Sequence, residues 1–121
     1  MEKLTNKEEE IMHILWQLKK AFVKEVVAEL PDPKPHYNTV STMIRNMEEK
    51  GFIKHKVFGN TYQYYPDISK EAYRKKFMQK TIQQYFENSY KNVVSFFAKE
   101  EKISVEELKE IISSIEKKDK V

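Results

Sequence analysis

Asn38, Ser41, Thr42 and Arg45 stand three and four residues apart, so on a helix they share one face. Three of them are short hydrogen-bonding side chains and the fourth is a guanidinium. A face selected only for solubility is usually rich in Glu and Lys. Short polar groups with one Arg are what a helix lying in a DNA major groove uses to reach base edges, and an Arg there can bond a guanine edge through both nitrogens. The opposite side carries Val40, Met43, Ile44 and Met47, a buried stripe at helical spacing.

Catalytic chemistry finds little to work with. The sequence has 2 glycines, Gly51 and Gly59, so no glycine-rich phosphate loop can be built. Its 3 histidines are His13, His36 and His55, and it has no cysteine. Disulfides and thiolate metal sites are therefore excluded, and a histidine metal site is not expected. Carboxylates fall in runs such as Glu8-Glu9-Glu10 and Glu100-Glu101, which read as solvated helix faces. No enzyme activity, cofactor, metal or small-molecule substrate is expected. Tyr62, Tyr64 and Tyr65 could stack on bases, but packing of alternate strand residues on the helices is the stronger expectation. His36 could cap a helix or touch a phosphate, and His55 is placed equally for phosphate contact or plain exposure.

The elements that must position the polar face follow from local signals. Thr5 with Glu8 is a capping-box spacing that opens a first helix, with Ile11, Ile14, Leu15 and Leu18 as its stripe and Met12 and Trp16 widening it. Ala21 and Phe22 are expected to open a second helix that runs to Leu30. Pro31, Pro33 and Pro35 then forbid helix. The third helix begins at His36 or Tyr37 and stops at Gly51, a natural residue just past a helix end. Phe52 to Phe58 and Thr61 to Tyr65 read as strands, with Gly59-Asn60 as a two-residue hairpin. Three helices and a two-stranded wing make a winged helix-turn-helix domain over residues 1–66.

Residues 67–121 read as three further helices. Ser69 caps the first, Glu87-Asn88-Ser89 breaks it, and Ser104 with Glu107 opens the last. Tyr73, Phe77, Ile82, Phe86, Val93, Phe97, Leu108, Ile111, Ile112 and Ile115 are too many large apolar groups for so small a region to bury alone. A second copy of the chain is the economical cover, so residues 67–121 are expected to be a dimerisation region. The fold class is mostly α with a small β wing.

The net charge of the chain is +3. Residues 1–33 are net −2, residues 34–66 and 67–98 each net +3, and residues 99–121 net −1. The positive excess lies where the helix and hairpin are, which fits a phosphate-facing surface. No run reaches the roughly 18 apolar residues of a membrane span, and no apolar signal region is visible at the N-terminus. A cytoplasmic location is expected. A winged helix can also serve as a protein-interaction module without reading DNA; an apolar face in place of Asn38, Ser41, Thr42 and Arg45 would have pointed there.

Three segments carry a family resemblance. They are Glu9-Glu10-Ile11-Met12-His13-Ile14-Leu15-Trp16, then Thr39-Val40-Ser41-Thr42-Met43-Ile44-Arg45-Asn46-Met47, and Lys50-Gly51-Phe52-Ile53-Lys54-His55-Lys56. With the wing end Tyr62-Gln63-Tyr64-Tyr65-Pro66, they resemble the BlaI/MecI/CopY family of bacterial repressors. The resemblance implies a homodimer on a palindromic double-stranded operator, blocking transcription. It also implies groove-facing roles for Asn38, Thr39, Ser41, Thr42 and Arg45, and phosphate or minor-groove contacts for Lys54, His55, Lys56 and Asn60. In the β-lactam branch a membrane sensor commands a proteolytic cut in the dimerisation region. The matching bond is Phe96–Phe97, where that branch carries Asn at the first position. The copper-sensing branch binds metal through C-terminal cysteines, which this chain lacks.

Overall fold

The computed structural model describes the backbone of residues 3–119 and the side chains of residues 3–114. The element order is α1 (Asn6–Leu18), β1 (Ala21–Phe22), α2 (Val23–Glu29), α3 (Tyr37–Glu49), β2 (Ile53–Phe58), β3 (Thr61–Pro66), α4 (Lys70–Tyr85), α5 (Tyr90–Lys99) and α6 (Val105–Asp119). Two compact units form, Met1–Arg74 and Lys75–Val121.

The capping box opens α1 as its spacing requires. The Glu8 N–H donates to Thr5 Oγ1 at 3.2 Å, and the Thr5 N–H donates to Glu8 Oε1 at 2.9 Å. That carboxylate is also met by Lys50 Nζ at 2.7 Å, so the start of α1 is tied to the residue that ends α3. Glu8 is only 4% exposed. Burial alone would raise its carboxyl, but the bonds from Lys50 and Thr5 outweigh burial and hold it below the ordinary glutamate value.

The core is built where the apolar stripes meet. Ile11, Met12 and Leu15 of α1, Val26 of α2, and Val40, Ile44 and Met47 of α3 are fully buried, together with Phe52 and Ile53. Leu18, expected on the α1 stripe, is exposed, because α1 ends there and Lys19 at φ 74° turns the chain away.

The second helix starts later than its sequence suggests. Ala21 and Phe22 are extended and pair antiparallel with β3, Ala21 opposite Tyr64 and Phe22 opposite Gln63. The sheet is therefore three-stranded, in the order β1-β3-β2, rather than a free hairpin. The reason is that Phe22 is also the N-cap of α2. An N-cap residue has extended backbone angles, and its N–H donates to Glu25 Oε1 at 2.9 Å. The same conformation lets a buried Ala21 join the sheet.

The end of α3 fixes the hairpin. The Gly51 N–H donates to the Glu48 carbonyl at 3.0 Å and the Phe52 N–H to the Met47 carbonyl at 3.1 Å. This is a Schellman arrangement, and it needs Gly51 at φ +89°. Phe52 is thereby driven into the core and β2 begins on the next residue. His36 takes the N-cap position of α3 without a side-chain capping bond, so the capping role considered for its ring is not taken up.

Beyond the sheet, Trp16 Nε1–H donates to the Ile68 carbonyl at 2.9 Å, and the Tyr73 ring lies 5.5 Å from Trp16 and 5.8 Å from Phe52. Tyr73, assigned from sequence to a dimer surface, packs instead against the core of the first unit. This is why that unit continues past residue 66 into the first turn of α4.

In the second unit, Glu87 and Asn88 at φ 51° and 61° make the break, and Ser89 Oγ accepts the Asn92 N–H at 3.1 Å to cap α5. Ser104 and Glu107 form the second capping box at the start of α6. Ile82 is buried in the single chain, unlike the interface role expected of it. Phe77, Phe97, Ile111 and Ile112 are exposed, and Phe86, Val93 and Leu108 half-buried. The side chain of Ile115 lies outside the described residues.

Two outcomes test this account. Glu8→Ala removes a cap and strands a partly buried lysine, and is expected to cost about 2–4 kcal/mol in urea unfolding. Glu8 contributes in full above the ordinary glutamate value, and its contribution is lost as pH falls through its lowered one. Glu8→Gln should therefore flatten the acid limb of stability against pH. Separately, a 1–74 fragment should fold, and a 1–66 fragment, lacking Ile68 and Tyr73, should melt lower.

Candidate nucleic-acid interface

The polar face of α3 forms because its other ridge is consumed by the core. Asn38, Thr39, Thr42 and Arg45 are exposed and Ser41 is half-buried. The Thr42 hydroxyl donates to the Asn38 carbonyl at 2.9 Å. Its proton is committed to the backbone, so Thr42 offers a methyl group and acceptor lone pairs to anything docking on this face.

Tyr37, Ser41, Arg45 and Glu48 form the adjoining ridge, four, four and three residues apart, and this ridge is the one beside the hairpin. Glu48 Oε2 is 2.6 Å from His55 Nδ1. The His55 ring stacks on Tyr62, with centroids 4.2 Å apart and planes 18° apart. Burial raises the Tyr64 phenol, with Glu48 acting in the same direction and Arg45 against it. Tyr37, Ser41, Arg45, Asn60, Thr61, Tyr62, Tyr64 and Val23 line a cleft of about 190 Å³ between α3 and the hairpin.

The four wing residues expected to contact phosphate or the minor groove do not share a face. Strand residues alternate sides, so His55 and Val57 turn toward the α3 side and Lys54, Lys56 and Phe58 turn away. Lys54 Nζ lies 3.6 Å from Asp67 Oδ1. Lys56 Nζ lies 5.5 Å from the Phe58 ring centre, and that ring meets Phe22 edge-on at 5.8 Å. Asn60 joins the cleft. Gly59 at φ +57° with Asn60 on the negative side has the sign pattern of a II′ turn, which requires glycine first. Of the three tyrosines, Tyr64 is buried as packing demands, while Tyr62 and Tyr65 are exposed.

Sequence reasoning missed Tyr37 and Glu48, and considered Tyr62 only for stacking on bases or packing on the helices, not for its stack on His55. Tyr37 and Glu48 were findable, since they extend the Ser41–Arg45 ridge by helical spacing. The histidine that answers Glu48 was not, because its partner is set by the hairpin. Among the described residues no group of three or more His, Asp or Glu could hold a metal ion.

A family model described as penicillinase repressor matches residues 4–117. The methicillin resistance regulatory protein MecI of Staphylococcus aureus (strain N315) is 26% identical over 116 residues, covering 95% of this chain and 94% of its own length. The penicillinase repressor of Staphylococcus aureus is 28% identical over 113 residues, 90% of each chain. The solution structure of the DNA-binding domain of the repressor BlaI is similar in fold, with a TM-score of 0.51 and 27% identity, over 60% of this chain and 94% of that domain.

The clasp between α3 and the hairpin is testable by itself. His55→Ala removes the Glu48 partner and the Tyr62 stack, and is expected to cost about 1–2 kcal/mol. Amide exchange should quicken over residues 55–62 more than in α1.

Proposed function

The chain belongs to the penicillinase repressor family, and on that premise we propose that it is a DNA-binding transcriptional repressor that enters a major groove with α3 and flanks it with the β2–β3 hairpin. The observation that carries this reading is the exposed polar face of Asn38, Thr39 and Thr42 beside Arg45, with the exposed Tyr37 on the adjoining ridge. A protein-docking helix would present apolar anchors at those positions, so the interaction-module reading is not favoured. Asn38 is exposed and carries the amide that can bond an adenine edge. Lys56, with no carboxylate partner among the described residues, is suited to a phosphate.

The repressor acts as a homodimer in this proposal. Tyr85, Tyr90, Phe97, Ile111 and Ile112 are exposed on α4, α5 and α6 of the single chain, and apolar surface on that scale calls for a partner. A second copy would present two α3 helices to half-sites about 34 Å apart or a multiple of it, as a palindrome requires. The Phe96–Phe97 bond lies inside α5. Control by a sensor-directed protease would therefore need α5 to open locally before cleavage. No described helix is long and apolar enough to cross a membrane, and action on DNA assigns the work to the cytoplasm.

Footprinting of the full chain across the DNA upstream of its own coding region is the direct test, and a protected palindrome is the expected result. Asn38→Ala should weaken binding to that site by about 1–3 kcal/mol and leave random duplex nearly unaffected. Lys56→Ala should weaken both alike and lower the salt slope by roughly one unit. Sedimentation of the full chain at micromolar concentration should show a dimer; a monomer that protects the palindrome as well would refute the two-copy reading.

A further inference from the structure

Arg45 is on the reading face, yet its surroundings differ from those of Asn38 and Thr42. It lines the cleft with Tyr37, Ser41, Asn60 and Tyr62. It makes no ion pair or hydrogen bond among the described residues. Two acids lie within ordinary helical reach of it, Glu48 and Glu49, at the three- and four-residue spacings that favour ion pairs. Glu48 is taken by His55 at 2.6 Å, and Glu49 pairs with nothing described. The guanidinium is thus left open at the mouth of a cleft whose other polar groups, from Ser41, Asn60 and Tyr37, are neutral and able to donate. That is a site for an anion. Its volume of about 190 Å³ is below the roughly 300–1,000 Å³ of pockets that enclose drug-sized ligands.

The docking geometry says which anion. This step rests on the proposed reading of DNA by α3. If α3 fills a major groove and the hairpin lies over the neighbouring minor groove, the sugar-phosphate strand that separates the two grooves must cross the space between α3 and the hairpin. The cleft is that space. We propose that the cleft grips one phosphate of that strand, with Arg45 as its charged ligand and Asn60 and Ser41 as neutral donors. Arg45 then sets the depth and register of α3, and the base edges are left to Asn38, Thr39 and Thr42. This assigns Arg45 to positioning, in place of the guanine contact that its residue type suggests.

The experiment uses the full chain, a duplex that the wild type selects from a random library, and an unselected duplex. Arg45→Ala should lose roughly tenfold in affinity on both, with its salt slope reduced by about one. Arg45→Lys should restore most of the loss on both, since a phosphate accepts a point charge whereas a guanine edge requires the fork. Loss confined to the selected duplex, with Lys failing to rescue, overturns the proposal in favour of base reading. In a methylphosphonate scan, the wild type should be weakened at one phosphate per half-site to which Arg45→Ala is indifferent. A variant still sensitive at that phosphate overturns it too. Inorganic phosphate, matched to chloride in ionic strength, should not displace the duplex; displacement that Arg45→Ala abolishes would assign the cleft to a free ion instead. A wild type that binds both duplexes equally refutes base reading by α3 but leaves the Arg45 comparison intact, and one that binds neither refutes both.

Discussion

The buried carboxylate of Glu8 holds the first unit together at the point where sequence-distant elements must agree. It closes the capping box with Thr5 and receives Lys50 at 2.7 Å. A carboxylate so deeply buried is costly unless it is paired and hydrogen-bonded, and here a backbone N–H and an ammonium both bond its Oε1. The result is a fixed distance between the first turn of α1 and Lys50, the residue that caps the end of α3. Immediately afterwards Gly51 turns the chain, Phe52 enters the core, and β2 starts. The place of the hairpin beside α3 is therefore inherited from the contact that ends α3. The Glu48–His55 bond then fastens the two surfaces from the outer side.

Local signals were legible and long-range ones were not. Thr5 with Glu8, Ser104 with Glu107, and Gly51 past the end of α3 each act through residues at most five apart, so spacing alone reveals them. The stripe of Val40, Ile44 and Met47 follows helical periodicity and is buried as read. β1 escaped because two residues carry no alternation, and Ala21 and Phe22 are strand only by virtue of Tyr64 and Gln63 far along the chain. The Glu8–Lys50 pair joins residues 42 apart, and Glu8 reads as a solvated member of an acidic run. Tyr73 looked like a dimer contact because its place in α4 gives no hint of Trp16 and Phe52. The split of Lys54 and Lys56 from His55 was readable in principle, since strand residues alternate sides wherever they occur.

The two units solve different packing problems. The first closes its own core, with the aromatic rings of Trp16, Phe52 and Tyr73 packed together over α1 and the start of α4. The second keeps Ile82 buried but leaves rings and branched side chains on α5 and α6 exposed. In the first unit stability and the polar face come from opposite ridges of α3, so changes on one side need not disturb the other. In the second, stability and self-association would draw on the same apolar surface, so that anything opening α5 would loosen both.

The charge of residues 34–66 sharpens the division of labour on the DNA side. Five cations lie in this stretch, but most are spoken for within the chain. Lys34 Nζ donates to the Ala28 and Leu30 carbonyls at the end of α2, Lys50 meets Glu8, and Lys54 lies near Asp67. Arg45 and Lys56 are left without a carboxylate partner among the described residues. Arg45 turns toward the cleft on the α3 side of the hairpin, and Lys56 lies on the opposite face of β2. Two open cations on either side of one wing can bracket it between phosphates, yet they supply little sequence-independent attraction, because that term grows with the number of phosphates neutralised. In the proposed docking, affinity built this way would depend on the neutral groups of α3 finding their bases, and discrimination between sequences would follow from how few charges the interface leaves free.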